Sequence, residues 1–100
     1  MYDMANMKKL ARLGELAPEA WKAFVAFDEA VMRGGAIPLK YKELMAVAVA
    51  LTTQCPYCIE IHTKKAKKAG ANEQELAETT LIAAALRAGG AVTHGTHTLE

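Results

Sequence analysis

One hundred residues, 52% apolar and 23% charged with a formal net charge of +1 at pH 7, suit one soluble domain built around a single core. The longest uninterrupted apolar run, Leu44 to Leu51, has eight residues where a membrane-spanning helix needs about twenty, so no segment is expected to cross a bilayer. The near-zero charge argues against a nucleic-acid partner, because Lys64, Lys65, Lys67 and Lys68 form the only dense basic cluster and no aromatics interleave them.

Five helices are expected. A strand competes only over Leu44 to Leu51, and it is rejected because the alternate positions are Ala rather than polar and the segment is longer than a typical buried strand. Met4 to about Leu16 carries Met7, Leu10, Leu13 and Leu16 at three-residue steps, and Ala17-Pro18 breaks the run and restarts it. The second helix holds Trp21, Phe24, Val25, Phe27, Val31 and Met32 and stops at Gly34-Gly35. Pro38 opens a third, Leu39 to about Thr53, whose Leu44 to Leu51 stretch is apolar all round and therefore expected to be buried. A fourth starts at Cys55, placed as an N-cap, with Pro56 at a first helical position, and runs to Ala69 with Gly70 just past its end. Asn72 and Glu75 resemble a capping box at the head of a fifth, which Gly89-Gly90 is expected to stop. The tail from Ala91 to Glu100 is a short sixth helix or a frayed end. With no internal repeat and no low-complexity linker, residues 1–100 read as one all-α domain.

Twenty of the apolar residues are alanine and thirty-two are larger. Alanine favours helix and lets helices approach closely, yet each methyl buries little, so the core of one chain should be thin and self-association is expected. The start of the chain lacks a basic segment followed by an apolar stretch and a small-residue cleavage site, which makes a cytoplasmic location the expectation.

The two cysteines stand three apart in Cys55-Pro56-Tyr57-Cys58, too close to staple a large loop, and in a chain of this kind they indicate redox chemistry or half a metal site. A helix beginning at Cys55 or Pro56 aims unpaired N–H groups and the positive end of its macrodipole at the sulfurs, favouring the reactive thiolate. His62 lies one turn beyond Cys58 on the same face, whereas Cys55 is two turns away, so the imidazole is better placed to serve Cys58. Glu43 on the preceding helix is the candidate to orient His62. Folding helices three and four back at Gln54-Cys55 puts Glu43 about 16 Å from the apex and His62 about 10 Å, leaving open whether they touch directly or through water.

Each of these residues also has a plainer role: buried thiols packed as small hydrophobes, a surface histidine on a basic helix, a first-turn glutamate favoured by the dipole. A zinc site would need His94 or His97 to complete Cys55, Cys58 and His62, so neither a metal nor a bound cofactor is expected. Covalent haem would want histidine where Ile59 stands. The tetrapeptide is similar to that of glutaredoxins, but those place it after a strand, and here an alanine-rich helix precedes it. His94 and His97 have no assigned role.

Read together, Glu43, Cys55-x-x-Cys58-x-x-x-His62, Ala66, Gly70-Ala71 and Glu73 to Leu76 resemble the alkylhydroperoxidase D-like branch of the carboxymuconolactone decarboxylase family over about residues 38–90. The resemblance implies an all-helical fold with the CxxC at a helix N-terminus, trimers or hexamers, and thiol-dependent reduction of hydroperoxides. Cys58 would then be the peroxidatic cysteine, Cys55 the resolving one, and Glu43 with His62 the proton relay. The Cys55–Cys58 disulfide would be reduced by an external dithiol such as a lipoylated protein. Better-known proteins of this branch are longer, which places the pocket of a hundred-residue version across subunits. The alternatives are a redox-sensing or metal-binding module and a lyase of the decarboxylase type using Glu43 and His62.

Overall fold

The computed structural model describes residues 2–100, which form five α-helices and two 3-10 segments, with no strand among them. The chain divides into two compact units, one running to Leu39 and the other spanning Lys40–Glu100.

In the first unit, Asp3 caps a 3-10 segment, Met4–Lys9, by accepting from the Ala5 N–H at 2.9 Å. The three-residue spacing of apolar side chains thus begins in a helix whose own period is three. It continues into α1, Leu10–Leu16, and Ala17, with φ −138° and ψ 66°, breaks the chain before Pro18 opens α2, Pro18–Met32. Gly14 of α1 lies against the Trp21 side chain of α2. A Cβ there would lie 2.6 Å from Trp21 Cδ1, so only glycine leaves room for the indole, which also tilts against Phe24 at 5.7 Å between ring centroids. No residue of this unit's helices is fully buried, and Phe24, Phe27 and Val31 stay exposed.

The second unit contains α3, Leu39–Thr53, α4, Pro56–Lys68, and α5, Glu73–Gly95. Glu43, Leu44, Val47 and Ala50 form the buried face of α3 at helical spacing. The expectation that this helix is buried all round does not hold for one chain, since Met45 is 52% and Val49 59% exposed. One face packs through Leu44 on Ala66 and Ala71, and the other stays open.

Both reversals in this unit use the same backbone device. At the end of α3 Gln54 takes a left-handed φ of 55° and the Cys55 N–H reaches back to the Ala50 carbonyl at 3.1 Å. At the end of α4 Gly70 takes φ 104°, the Ala71 N–H donates to Ala66 O at 2.9 Å, and the Gly70 N–H donates to Lys67 O at 3.0 Å. These are the bonds of a Schellman ending, in which the residues five apart also pack. Ala66 and Ala71 do so here, forming the core with Leu44, and Leu76 packs against them.

The Asn72 capping box is complete, with Glu75 N–H on Asn72 Oδ1 at 2.8 Å and Asn72 N–H on Glu75 Oε1 at 3.0 Å. The other Glu75 oxygen takes Lys40 Nζ at 2.8 Å, tying the start of α5 to the start of α3. The expected stop at Gly89-Gly90 is overturned, because α5 continues to Gly95. Neither glycine adopts positive φ, no proline comes after them, and flanking alanines carry the helix through a local penalty of about 1 kcal/mol per glycine. The tail closes with a 3-10 turn, Thr96–Thr98.

Candidate active site

Three segments build the site: the buried face of α3, the turn at Gln54-Cys55 and the first two turns of α4. Cys55 is the N-cap of α4, its sulfur accepting the Cys58 N–H at 3.3 Å, and Pro56 occupies a first-turn position where a missing N–H costs nothing. The placement expected from sequence is therefore the one observed. Cys55 and Cys58 are joined as a disulfide, with Cα atoms 5.3 Å apart, the ordinary separation of residues three apart on a helix. Both are half-buried.

His62 follows Cys58 by one turn on α4. Its Nδ1 lies 2.7 Å from Glu43 Oε2, a direct contact that the helix-depth estimate left open. Glu43 retains only 3% of its exposure, while the His62 side chain keeps 20%. An ionised carboxylate can only accept, so paired with it Nδ1 carries the hydrogen and Nε2 keeps its lone pair. A buried carboxylate requires such a partner, which gives the pair its mutual dependence. The arrangement can hold a disulfide or its two thiols at a helix N-terminus, and it can accept or return a proton at an imidazole whose far nitrogen is oriented.

Two supporting residues had no signal in the sequence. Gln54 turns the chain into the cysteines in a conformation that usually calls for glycine. Arg87 Nη1 on α5 donates to the Thr52 carbonyl, placing a cation on the C-terminal end of α3 where the macrodipole favours it. His94 lies in the last turn of α5 and His97 in the 3-10 turn that follows, their rings 5.7 Å apart, and among the described residues they belong to no group of three or more potential metal ligands.

Comparison with known proteins identifies the family. Residues 18–100 match the Carboxymuconolactone decarboxylase family, and the chain belongs to it. It is 40% identical over 102 residues to "Uncharacterized protein 4 in cox locus" of Paracoccus denitrificans, covering 99% of this chain and 92% of that one. An uncharacterized protein of Cupriavidus necator is 35% identical over 75 residues, covering 75% of this chain and 66% of its own length. Among solved structures, a protein of Methanobacterium thermoautotrophicum superposes with a TM-score of 0.81 at 35% identity, over 86% of this chain and 97% of that one. A carboxymuconolactone decarboxylase family protein from Legionella pneumophila gives 0.75 at 35% identity, over 80% and 71%. The all-helical fold expected from the sequence is thus the family's fold. Among the described residues no helix is long and apolar enough to cross a membrane.

Proposed function

We propose that the protein is a thiol-dependent peroxide reductase. The observation that carries this reading is the Cys55–Cys58 disulfide at the head of α4, one turn from an imidazole held by a buried carboxylate. In the reduced protein His62 Nε2 accepts the Cys58 proton, and the thiolate attacks the distal oxygen of a hydroperoxide. The O–O bond breaks, Cys58 becomes a sulfenic acid, and the leaving alkoxide departs as the alcohol with the proton from His62. The Cys55 thiol then attacks the sulfenic sulfur, the disulfide forms and water leaves. An external dithiol, with a lipoylated protein as the favoured class, restores both thiols. We further place the working unit as a trimer or hexamer, supported by the exposed Met45, Val49, Leu81, Ile82 and Leu86 on α3 and α5, and concentration-dependent sizing tests it.

Peroxide turnover with a panel of dithiols is the test, and Cys58→Ser should abolish it. Full activity in that variant would remove the mechanism. The second reading is a lyase of the decarboxylase type, favoured by the Glu43–His62 pair, which is by itself an oriented general base. That activity would survive the loss of both cysteines.

A further inference from the structure

The α4 helix carries the disulfide at its head and four exposed lysines in its second half. It holds four lysines against one glutamate, on a chain whose formal net charge is +1, so the remainder of the chain is net negative. At 100° per residue, Cys58, His62 and Lys65 fall on one stripe of the helix, and Tyr57, Ile61, Lys64 and Lys68 fall on the stripe beside it. Lys67 points elsewhere, about half a turn from Cys58. Helix-dipole stabilisation accounts for a cation in the last turn on any face, and Lys67 needs no more than that. It does not account for Lys65 on the stripe of Cys58 and His62 with Lys64 and Lys68 on the stripe beside it. Glu60 pairs with Lys64 at 3.7 Å.

We propose that this lysine-bearing face of α4 docks the acidic surface of a protein that carries the reducing dithiol. The proposal rests on the thiol cycle described above and names the kind of partner that completes it. The partner's thiolate attacks one sulfur of the Cys55–Cys58 disulfide, the other sulfur leaves as a thiolate, and a mixed disulfide forms. The partner's second thiol then attacks that bond, so the partner leaves as a disulfide and this protein keeps both thiols. Lys64, Lys65 and Lys68 raise the encounter rate by steering the anionic surface toward the sulfurs, an effect that salt screens.

The test tracks reduction of the oxidised full-length protein by thiol release, without peroxide. Three reductants are compared: a lipoyl-bearing domain of net negative charge, the same domain with its surface carboxylates changed to amides, and neutral dithiothreitol. The acidic domain should act at least tenfold faster than its neutralised form, and its rate should fall steeply between 20 and 500 mM salt, in line with the 10- to 1000-fold range of electrostatic steering. The triple variant Lys64→Glu, Lys65→Glu, Lys68→Glu should lose about tenfold with the acidic domain and stay within twofold with dithiothreitol. Lys65→Glu and Lys67→Glu make equal single charge changes on and off the Cys58 stripe, and the Lys67 change should cost less than half of what the Lys65 change costs. Equal losses with dithiothreitol, equal losses in the Lys65 and Lys67 variants, or no salt dependence would overturn the proposal. A salt-sensitive exchange in a protein that consumes no peroxide would leave the docking face standing and remove the peroxidase reading, whereas peroxide turnover with salt-insensitive exchange would do the reverse.

Discussion

Replacing Glu43 by glutamine changes the charge beside His62 while keeping nearly the same volume in a position that is 3% exposed. The 2.7 Å contact to Nδ1 then weakens from a charge-assisted hydrogen bond to a neutral one, and the amide can also present its NH2 group and favour the tautomer that protonates Nε2. Bonds to charged groups contribute about 1.5–3 kcal/mol, which corresponds to a loss of about 10- to 150-fold if the interaction matters where the imidazole takes a proton. Two measurements check this on the reduced protein: peroxide consumption with dithiothreitol, and alkylation of Cys58 by a neutral iodoacetamide in a Cys55→Ser background. Both should fall together, with far-UV circular dichroism unchanged. Rates within twofold of the parent in a folded Glu43→Gln protein would refute the relay and reduce Glu43 to a structural role.

Other consequences concern stability. Gln54→Gly relieves a left-handed φ of 55° and should raise stability by about 0.5–1 kcal/mol in urea unfolding, the relief exceeding glycine's added chain entropy; a loss would refute the strain. Gly14→Ala should lower stability by about 1–3 kcal/mol and shift Trp21 fluorescence, because the new methyl meets the indole. Gly89→Ala and Gly90→Ala, with no atom within 4 Å of either new methyl, should each raise the thermal midpoint through about 1 kcal/mol of helix propensity. The ion pair of Lys40 and Glu75 defines a pH window. Lys40, then the Asn72 N–H, lower the Glu75 pKa, so its contribution is present above the unfolded glutamate value and lost as pH falls through the lower folded one. The hydrogen bond that Lys40 donates to Glu75 raises the Lys40 pKa, so that contribution is present below the unfolded lysine value and lost as pH rises through the higher folded one. Glu75→Gln should flatten the acid limb of stability against pH.

The local signals that rest on backbone chemistry were legible in the sequence. Pro18 and Pro56 at first helical turns, Asn72 with Glu75, and Gly70 past α4 each act through groups within a few residues, so spacing alone is enough to place them. The Glu43–His62 pair was legible as a candidate but not as a contact, since two helices must tilt and two side chains extend to meet. Gly89-Gly90 misled because glycine stops a helix only where the chain takes positive φ, and here the alanines and Val92 beyond the pair sustain the helix instead. Gln54 and Arg87 carried no signal, one because its conformation is imposed by the turn, the other because its acceptor is a main-chain carbonyl thirty-five residues away.

Cys55 closes one helix and caps the next, which engages both of its main-chain groups at once. Its N–H is held by the Ala50 carbonyl at 3.1 Å, and its own carbonyl accepts the Ile59 N–H at 3.0 Å. Neither bond involves sulfur. Opening or closing the disulfide therefore breaks neither of them. The site is in this sense a socket more than a hinge, its sulfur hung on a frame of main-chain bonds that the S–S bond does not supply.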